Sequence, residues 1–244
     1  MALTEQERAR LAERAAEIIA RYPKPRSALL PLLHLVQATE GFVSTDGIAF
    51  CADQLGLSEA DVTGVVSFYT MYKRHPVGEY HVGVCTNTLC AIMGGDTIHA
   101  DLRDHLGVEG DQPTADGKVS LERVECNAAC DYAPVMMVNW EFFDNMTPES
   151  ARELVDGLRA GADIAPARGA SRLVTWREAA MILAGYPDDQ ATTGHTAAPP
   201  TLAGLRIAKE NGWTSGTPGT ARSAAGNGTE SAAGSTGSGN GGRQ

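Results

Sequence analysis

The sequence predicts an α+β fold: short helices over the first 75 residues, then a small sheet assembled as βαβ followed by ββα. Three observations carry this expectation. Apolar residues recur at helical spacing as far as Tyr69, and the period then changes to alternation at Tyr80, Val82 and Val84. Capping and turn residues punctuate both regions where the periods begin and end.

Each element can be justified in order. Thr4 and Glu7 form a capping-box pair ahead of a face of Leu11, Ala15, Ile18 and Ile19. Ser27 is expected to open a second helix, with Leu29, Leu32, Leu33 and Val36 inward, Pro31 in its first turn and Gly41 as its stop. A third helix is expected from Thr45 to Leu55, with Ile48, Ala52 and Leu55 inward. Ser58-x-x-Asp61 caps a fourth, whose stripe is Val62, Val65, Val66 and Tyr69. Short amphipathic helices bury their faces only against each other, so residues 1–75 read as an N-terminal four-helix bundle.

Residues 76–161 read as a second domain. A strand from Tyr80 to Val84 runs into Cys85. After Cys90 and Gly94-Gly95 comes a helix with Ile98, Leu102 and Leu106 inward and Gly107 as its stop. A strand from Val119 to Glu125 then runs into Cys126, and such a βαβ unit makes its strands parallel with a right-handed crossover. Val135 to Val138 is a continuous apolar run, as in a buried central strand, and Glu141 to Phe143 forms a hairpin with it. Thr147-Pro148 starts a last helix, with Ala151, Leu154, Val155 and Leu158 inward and Gly161 as its close. This order matches a thioredoxin-like sheet, in which the Ala133-Pro134 bond is expected to be cis.

Residues 162–213 are rich in Ala, Pro, Gly and Thr, with separated apolar islands at Leu173-Val174-Trp176, Met181-Ile182-Leu183 and 202–213. They read as an extended arm that docks on a partner. Residues 214–244 are Gly/Ser-rich and read as a disordered tail.

The net charge of -10 argues against a nucleic-acid partner, which needs a basic stripe. The charged N-terminus lacks the apolar core of a signal peptide, and no apolar run is long enough for a direct membrane span, so a cytoplasmic chain is expected. In a reducing compartment, cysteines point to metal or redox use rather than to structural disulfides.

Of the five cysteines, Cys85 and Cys90 form a C-x4-C pair and Cys126 and Cys130 a C-x3-C pair. Both pairs follow the carboxyl ends of strands in one βαβ unit, where such sheets place ligands. Four thiolates from two loops suit one [2Fe–2S] cluster, with loop N–H groups at Thr86–Thr88 and Asn127–Ala129 aimed at the sulfurs. Zinc ribbons and thioredoxin dithiols both favour C-x-x-C, and that spacing is absent. Gly94 and Gly95 permit close backbone approach. Glu125 and Asp131 flank the second pair, as solvated charge or as groups that lower the cluster potential. Cys51 is expected to be a buried, inert thiol. The histidines, His34, His75, His81, His99, His105 and His195, are expected to be ordinary surface or capping residues. No G-x-G-x-x-G or P-loop pattern occurs, and nothing suggests Ser-His-Asp chemistry.

The segments FYTMYKRHPVGEYHVGVCTNTLC and VECNAACDYAPVMMVN resemble the E-subunit family of NADH-quinone oxidoreductase, the thioredoxin-like ferredoxin component of respiratory complex I. The resemblance covers about residues 10–160. It implies that Cys85, Cys90, Cys126 and Cys130 ligate one [2Fe–2S] cluster, the first pair sharing an iron, and that the chain performs no catalysis alone. It implies an NADH/FMN-binding partner subunit of the F type, which alone would carry FMN and NADH, and a large iron–sulfur subunit of the G type. The assembly would sit on the cytoplasmic side of the cell membrane. Asn127 stands where the family commonly has Leu, and Asn139-Trp140 occupies the hairpin turn where Asn or Asp with Gly is frequent. Related modules serve NAD-linked hydrogenases and formate dehydrogenases, and a zinc-stapled interaction protein is the alternative of another class.

Overall fold

The computed structural model describes residues 5–110, 112–189, 193–194 and 196–214. Thr4, His195 and the tail beyond Thr214 lie outside the described residues.

Helix α1 (Glu5–Ile19) buries Leu11, Ala15 and Ile18. Helix α2 (Leu29–Glu40) starts later than Ser27, because Pro25 opens a 3-10 turn, Pro25–Ala28, that delivers the chain to Leu29. Gly41 ends α2 at φ 91°, a left-handed conformation that glycine adopts without strain. Helix α3 (Thr45–Leu55) is capped by Ser44, whose hydroxyl accepts from Gly47 N at 3.0 Å. Helix α4 (Glu59–Phe68) carries the expected Ser58/Asp61 capping box. Tyr69 does not join its buried stripe: it is the extended C-cap and is 44% exposed, leaving Val62 and Val66 as the buried residues.

These helices share one apolar core, but four of them do not complete it. Helix α8 (Trp176–Leu183) lies along α2, and Met181, Ala184 and Tyr186 fill the same core. Residues 162–189 are therefore not an extended arm. Trp176 is 2% exposed, and its Nε1 donates to Gly41 O at 2.7 Å. Arg177 donates to the carbonyls of Ala38, Thr39 and Glu40. Those are groups that a helix C-terminus leaves unpaired, at its negative end. Tyr186 Oη donates to Glu17 at 2.7 Å. The apolar islands have no core of their own, and they find one on α2.

The sheet has the order β2-β1-β3-β4. Strand β1 (Tyr80–Cys85) pairs in parallel with β2 (Val119–Val124), which places Cys85 beside Val124. Strand β3 (Met136–Val138) runs antiparallel to β1, and β4 (Glu141–Phe143) antiparallel to β3. The short helix α5 (Thr88–Ile92) follows β1, and α6 (Gly95–Leu106) carries the crossover to β2. Helix α7 (Pro148–Ala160), capped by Thr147, packs beside α6. Val82, Val84, Val119 and Leu121 pack against the apolar faces of α6 and α7.

Successive strand residues alternate faces, so His81 turns away from that core. There it stacks with Trp140 and Trp176, with centroids 5.5 and 5.2 Å away. His81 and His34 are buried, at 3% and 7% exposure, rather than surface residues. Burial lowers the His34 pKa to about 4. Glu122 accepts from both His81 (2.8 Å) and Lys73 (2.7 Å). Burial opposes its ionisation, but His81 and Lys73 together outweigh it and hold its carboxyl at about 2.

The hairpin turn is settled by two left-handed residues, Asn139 (φ 49°) and Trp140 (φ 76°). The Asn139 side chain accepts from His81 N at 2.8 Å and donates to Val174 O at 2.8 Å, joining strand, turn and extension. No described helix is long and apolar enough to cross a membrane. The described residues 202–214 belong to a second compact unit. Helix α9 (Pro199–Glu210) has no buried residue.

Candidate metal centre

The two cysteine pairs arise where β1 and β2 end together. Their parallel register brings the loop after Cys85 beside the loop after Val124. Thr86 N donates to Val124 O at 3.0 Å, which ties the two loops at their roots. The Asn87 side chain then accepts from Thr88 N at 2.8 Å and starts α5, which carries Cys90 back toward Cys85. Gly95 makes this return possible: a Cβ there would lie 2.4 Å from Cys85 O and 2.9 Å from Cys90 O.

Cys85 and Cys90 are each 3% exposed and share an apolar cluster with Ala129, Ala133 and Val135, flanked by Tyr132 and Phe142. They lie within hydrogen-bonding reach of each other. Burial pushes the Cys90 thiol up to about 11, and a backbone hydrogen bond with Val135 pulls it back. Cys85 and Cys130 add to the upward push. Cys130 opens a 3-10 turn, Cys130–Tyr132, that leads to the cis Ala133-Pro134 bond, as expected from the sequence. Cys126 and Cys130 are exposed, and Cys126 Sγ accepts the N–H of Ala128 at 3.3 Å. One of the expected loop donors thus points at a sulfur. Glu125 and Asp131 are both exposed. Cys51 lies apart in the helical core, fully buried, and burial raises its pKa to about 12, with Glu40 adding to the shift.

The structure therefore gathers Cys85 and Cys90, sets Cys130 within electrostatic reach of Cys90 and leaves Cys126 exposed. Among the described residues, no three or more His, Cys, Asp or Glu side chains are grouped to hold a single metal ion. Each loop carries one cysteine pair, an arrangement that would suit a binuclear [2Fe–2S] centre with two thiolates on each iron. The buried Cys90 thiol resists ionisation, and a cation reverses that preference by taking the thiolate form. The residues fit such a group in chemistry and in backbone reach.

Sequence reasoning missed the network behind the site. His81, Glu122 and Lys73 come from three segments, and Arg168 reaches Asp144 from beyond the expected domain. No local period marks such residues. A signal for α8 was present, however: Thr175-x-x-Glu178 is a capping box, and its reciprocal bonds are formed.

A family model described as thioredoxin-like [2Fe–2S] ferredoxin matches residues 15–159. A protein of Mycobacterium tuberculosis, named as the E subunit of NADH-quinone oxidoreductase, is 61% identical over 204 residues, 83% of this chain and 81% of that one. A protein of the same name from Rickettsia bellii is 38% identical over 148 residues, 59% of this chain and 89% of that one. A Dictyostelium discoideum protein named NADH dehydrogenase [ubiquinone] flavoprotein 2, mitochondrial, is 38% identical over 146 residues, 59% of each chain. The mycobacterial match runs past α8 wherever it begins.

Proposed function

The chain belongs to the thioredoxin-like [2Fe–2S] ferredoxin family, and from that premise we propose that it is the electron-transfer component of an NADH:quinone oxidoreductase. Cys85, Cys90, Cys126 and Cys130 would hold the cluster, with the first pair on one iron. When bound, a [2Fe–2S] cluster accepts and returns a single electron. The redox partner in this reading is the FMN of a neighbouring NADH-binding subunit, and a large iron–sulfur subunit is the second neighbour. The assembly would be peripheral on the cytoplasmic side of the cell membrane.

One observation carries the reading: both cysteine pairs leave the same end of one parallel strand pair, with Cys85 and Cys90 buried side by side. The protein's own residues supply the rest. The apolar cluster around Cys85 and Cys90 keeps water from one side of the site, and low exposure strengthens every charge interaction there. Ala128 N–H faces the Cys126 sulfur, where a donor favours added negative charge. Cys126 and Cys130, being exposed, open the site toward a partner.

The test is iron and acid-labile sulfide analysis of the purified chain, with EPR of the reduced protein. Two irons and two sulfides per chain are expected, with a spectrum that Cys126→Ser abolishes or strongly perturbs. An unchanged spectrum in that variant would sink the ligand assignment. A colourless, EPR-silent protein holding one zinc would remove the redox role.

A further inference from the structure

Arg168 lies beyond the stretch matched by the family model, which ends at residue 159. Its guanidinium nevertheless reaches back to the wall of the cysteine site. The Cζ atom sits 3.9 Å from the Phe142 ring centroid and 5.2 Å from that of Tyr132. Both rings pack against the apolar cluster that contains Cys85 and Cys90, and Tyr132 shares its 3-10 turn with Cys130. The charge is largely buried, with the Arg168 side chain 16% exposed and that of Asp144 8% exposed. The two are forked together, Nε to Oδ2 at 2.9 Å and Nη2 to Oδ1 at 3.3 Å. The backbone fixes the same arrangement. Ala167 N donates to Phe142 O at 2.8 Å, Arg168 forms a single antiparallel bridge with Phe142, and Asn145 N donates to Tyr132 O at 2.9 Å.

A forked guanidinium–carboxylate pair fixes angle as well as distance. A cation over aromatic faces holds those rings more strongly where water is excluded. We propose that Arg168 is a positioning residue for the cysteine centre. Acting through Tyr132 and Phe142, it holds the Cys130 turn against the Cys85–Cys90 pair. With Asp144 it sets the local charge that governs the reduction potential of a bound [2Fe–2S] cluster. The inference rests on the cluster-binding function proposed above. A segment outside the family's matched region thereby supplies part of the electrostatics of the family's site.

The test uses the full chain with its cluster, an EPR-monitored redox titration and the EPR line shape. Arg168→Ala removes a positive charge and leaves Asp144 uncompensated, so the cluster becomes harder to reduce. Asp144→Asn removes the opposite charge, so it becomes easier to reduce. Each change is expected to shift the reduced-to-oxidised ratio at fixed potential roughly three- to tenfold, about 30–60 mV by the one-electron relation. Arg168→Lys keeps the charge and is expected within about twofold of wild type in potential, with an altered line shape because the fork is lost. Opposite signs for the first two variants are the signature of this role. Shifts of the same sign, or no shift beyond about twofold with only a lower melting temperature, would overturn it and leave a structural ion pair. If Arg168→Ala does not fold, Asp144→Asn and Arg168→Lys decide the matter by the same readout. A wild-type chain with no [2Fe–2S] spectrum overturns the cluster reading itself, and that is seen before any variant is made.

Discussion

Truncating Trp176 to alanine tests whether residues beyond 161 belong to the fold. The indole is 2% exposed, stacks against His81 and Trp140, and donates to Gly41 O. Large-to-small changes at such buried aromatic positions cost about 3–5 kcal/mol. Gly41 O, half-buried, would also lose its donor, which costs up to about 1 kcal/mol. The upper part of that range, about 4–5 kcal/mol, is therefore expected. Typical domains hold about 5–15 kcal/mol in total, so this is a large fraction. With a urea m-value of roughly 2–3 kcal/mol/M, the midpoint should fall by about 1.3–2.5 M. Urea unfolding followed by far-UV circular dichroism is the assay, with Trp213→Ala as control. Trp213 is 67% exposed, and its loss should cost no more than about 0.5 kcal/mol. A Trp176→Ala loss below about 1 kcal/mol, or one equal to the control, would refute the docking of α8 on α2.

Two further outcomes follow from the buried charge and from the close backbone approach. The Glu122 carboxyl lies at about 2 when folded against 4.5 for the free group, so its stabilisation is complete above about pH 4.5 and fades as pH falls toward 2. Glu122→Gln should cost up to roughly 3 kcal/mol at pH 7 and flatten the acid limb of stability between those values; an unchanged limb in denaturation at stepped pH would count against the network. Gly95→Ala forces a methyl into Cys85 O and Cys90 O, so a loss of about 1–3 kcal/mol and fewer irons per chain are expected, and full iron content with an unchanged melting temperature would contradict the close approach.

The parts legible in the sequence were those with local signatures. The Ser58/Asp61 box, the Thr147-Pro148 start and the alternation at Tyr80–Val84 each need only a few adjacent residues, and each element formed where its pattern stood. The cysteine pairs were legible because strand ends and spacing are both local. What escaped was long-range. Asn139 joins His81 to Val174, and Arg177 joins α8 to the end of α2, across separations that no periodicity records. The extension read as an arm docking on another protein because its islands form no core with each other, and nothing local marks α2 as the surface they cover. His34 and His81 were placed on the surface because a histidine's burial is set by its neighbours in space.

The grip of Arg177 on three successive carbonyls at the end of α2 has a consequence for nicked forms of the protein. A single cut between α7 and Thr175 would remove no contact. It would turn a tethered segment into a free peptide ligand, bound only as tightly as its own dissociation constant allows. The covalent link supplies an effective concentration in the millimolar range for short tethers, so the nicked protein would hold its extension when concentrated and shed it on dilution. Protease sensitivity of that linker and dilution-dependent loss of α8 would thus be two readings of one equilibrium.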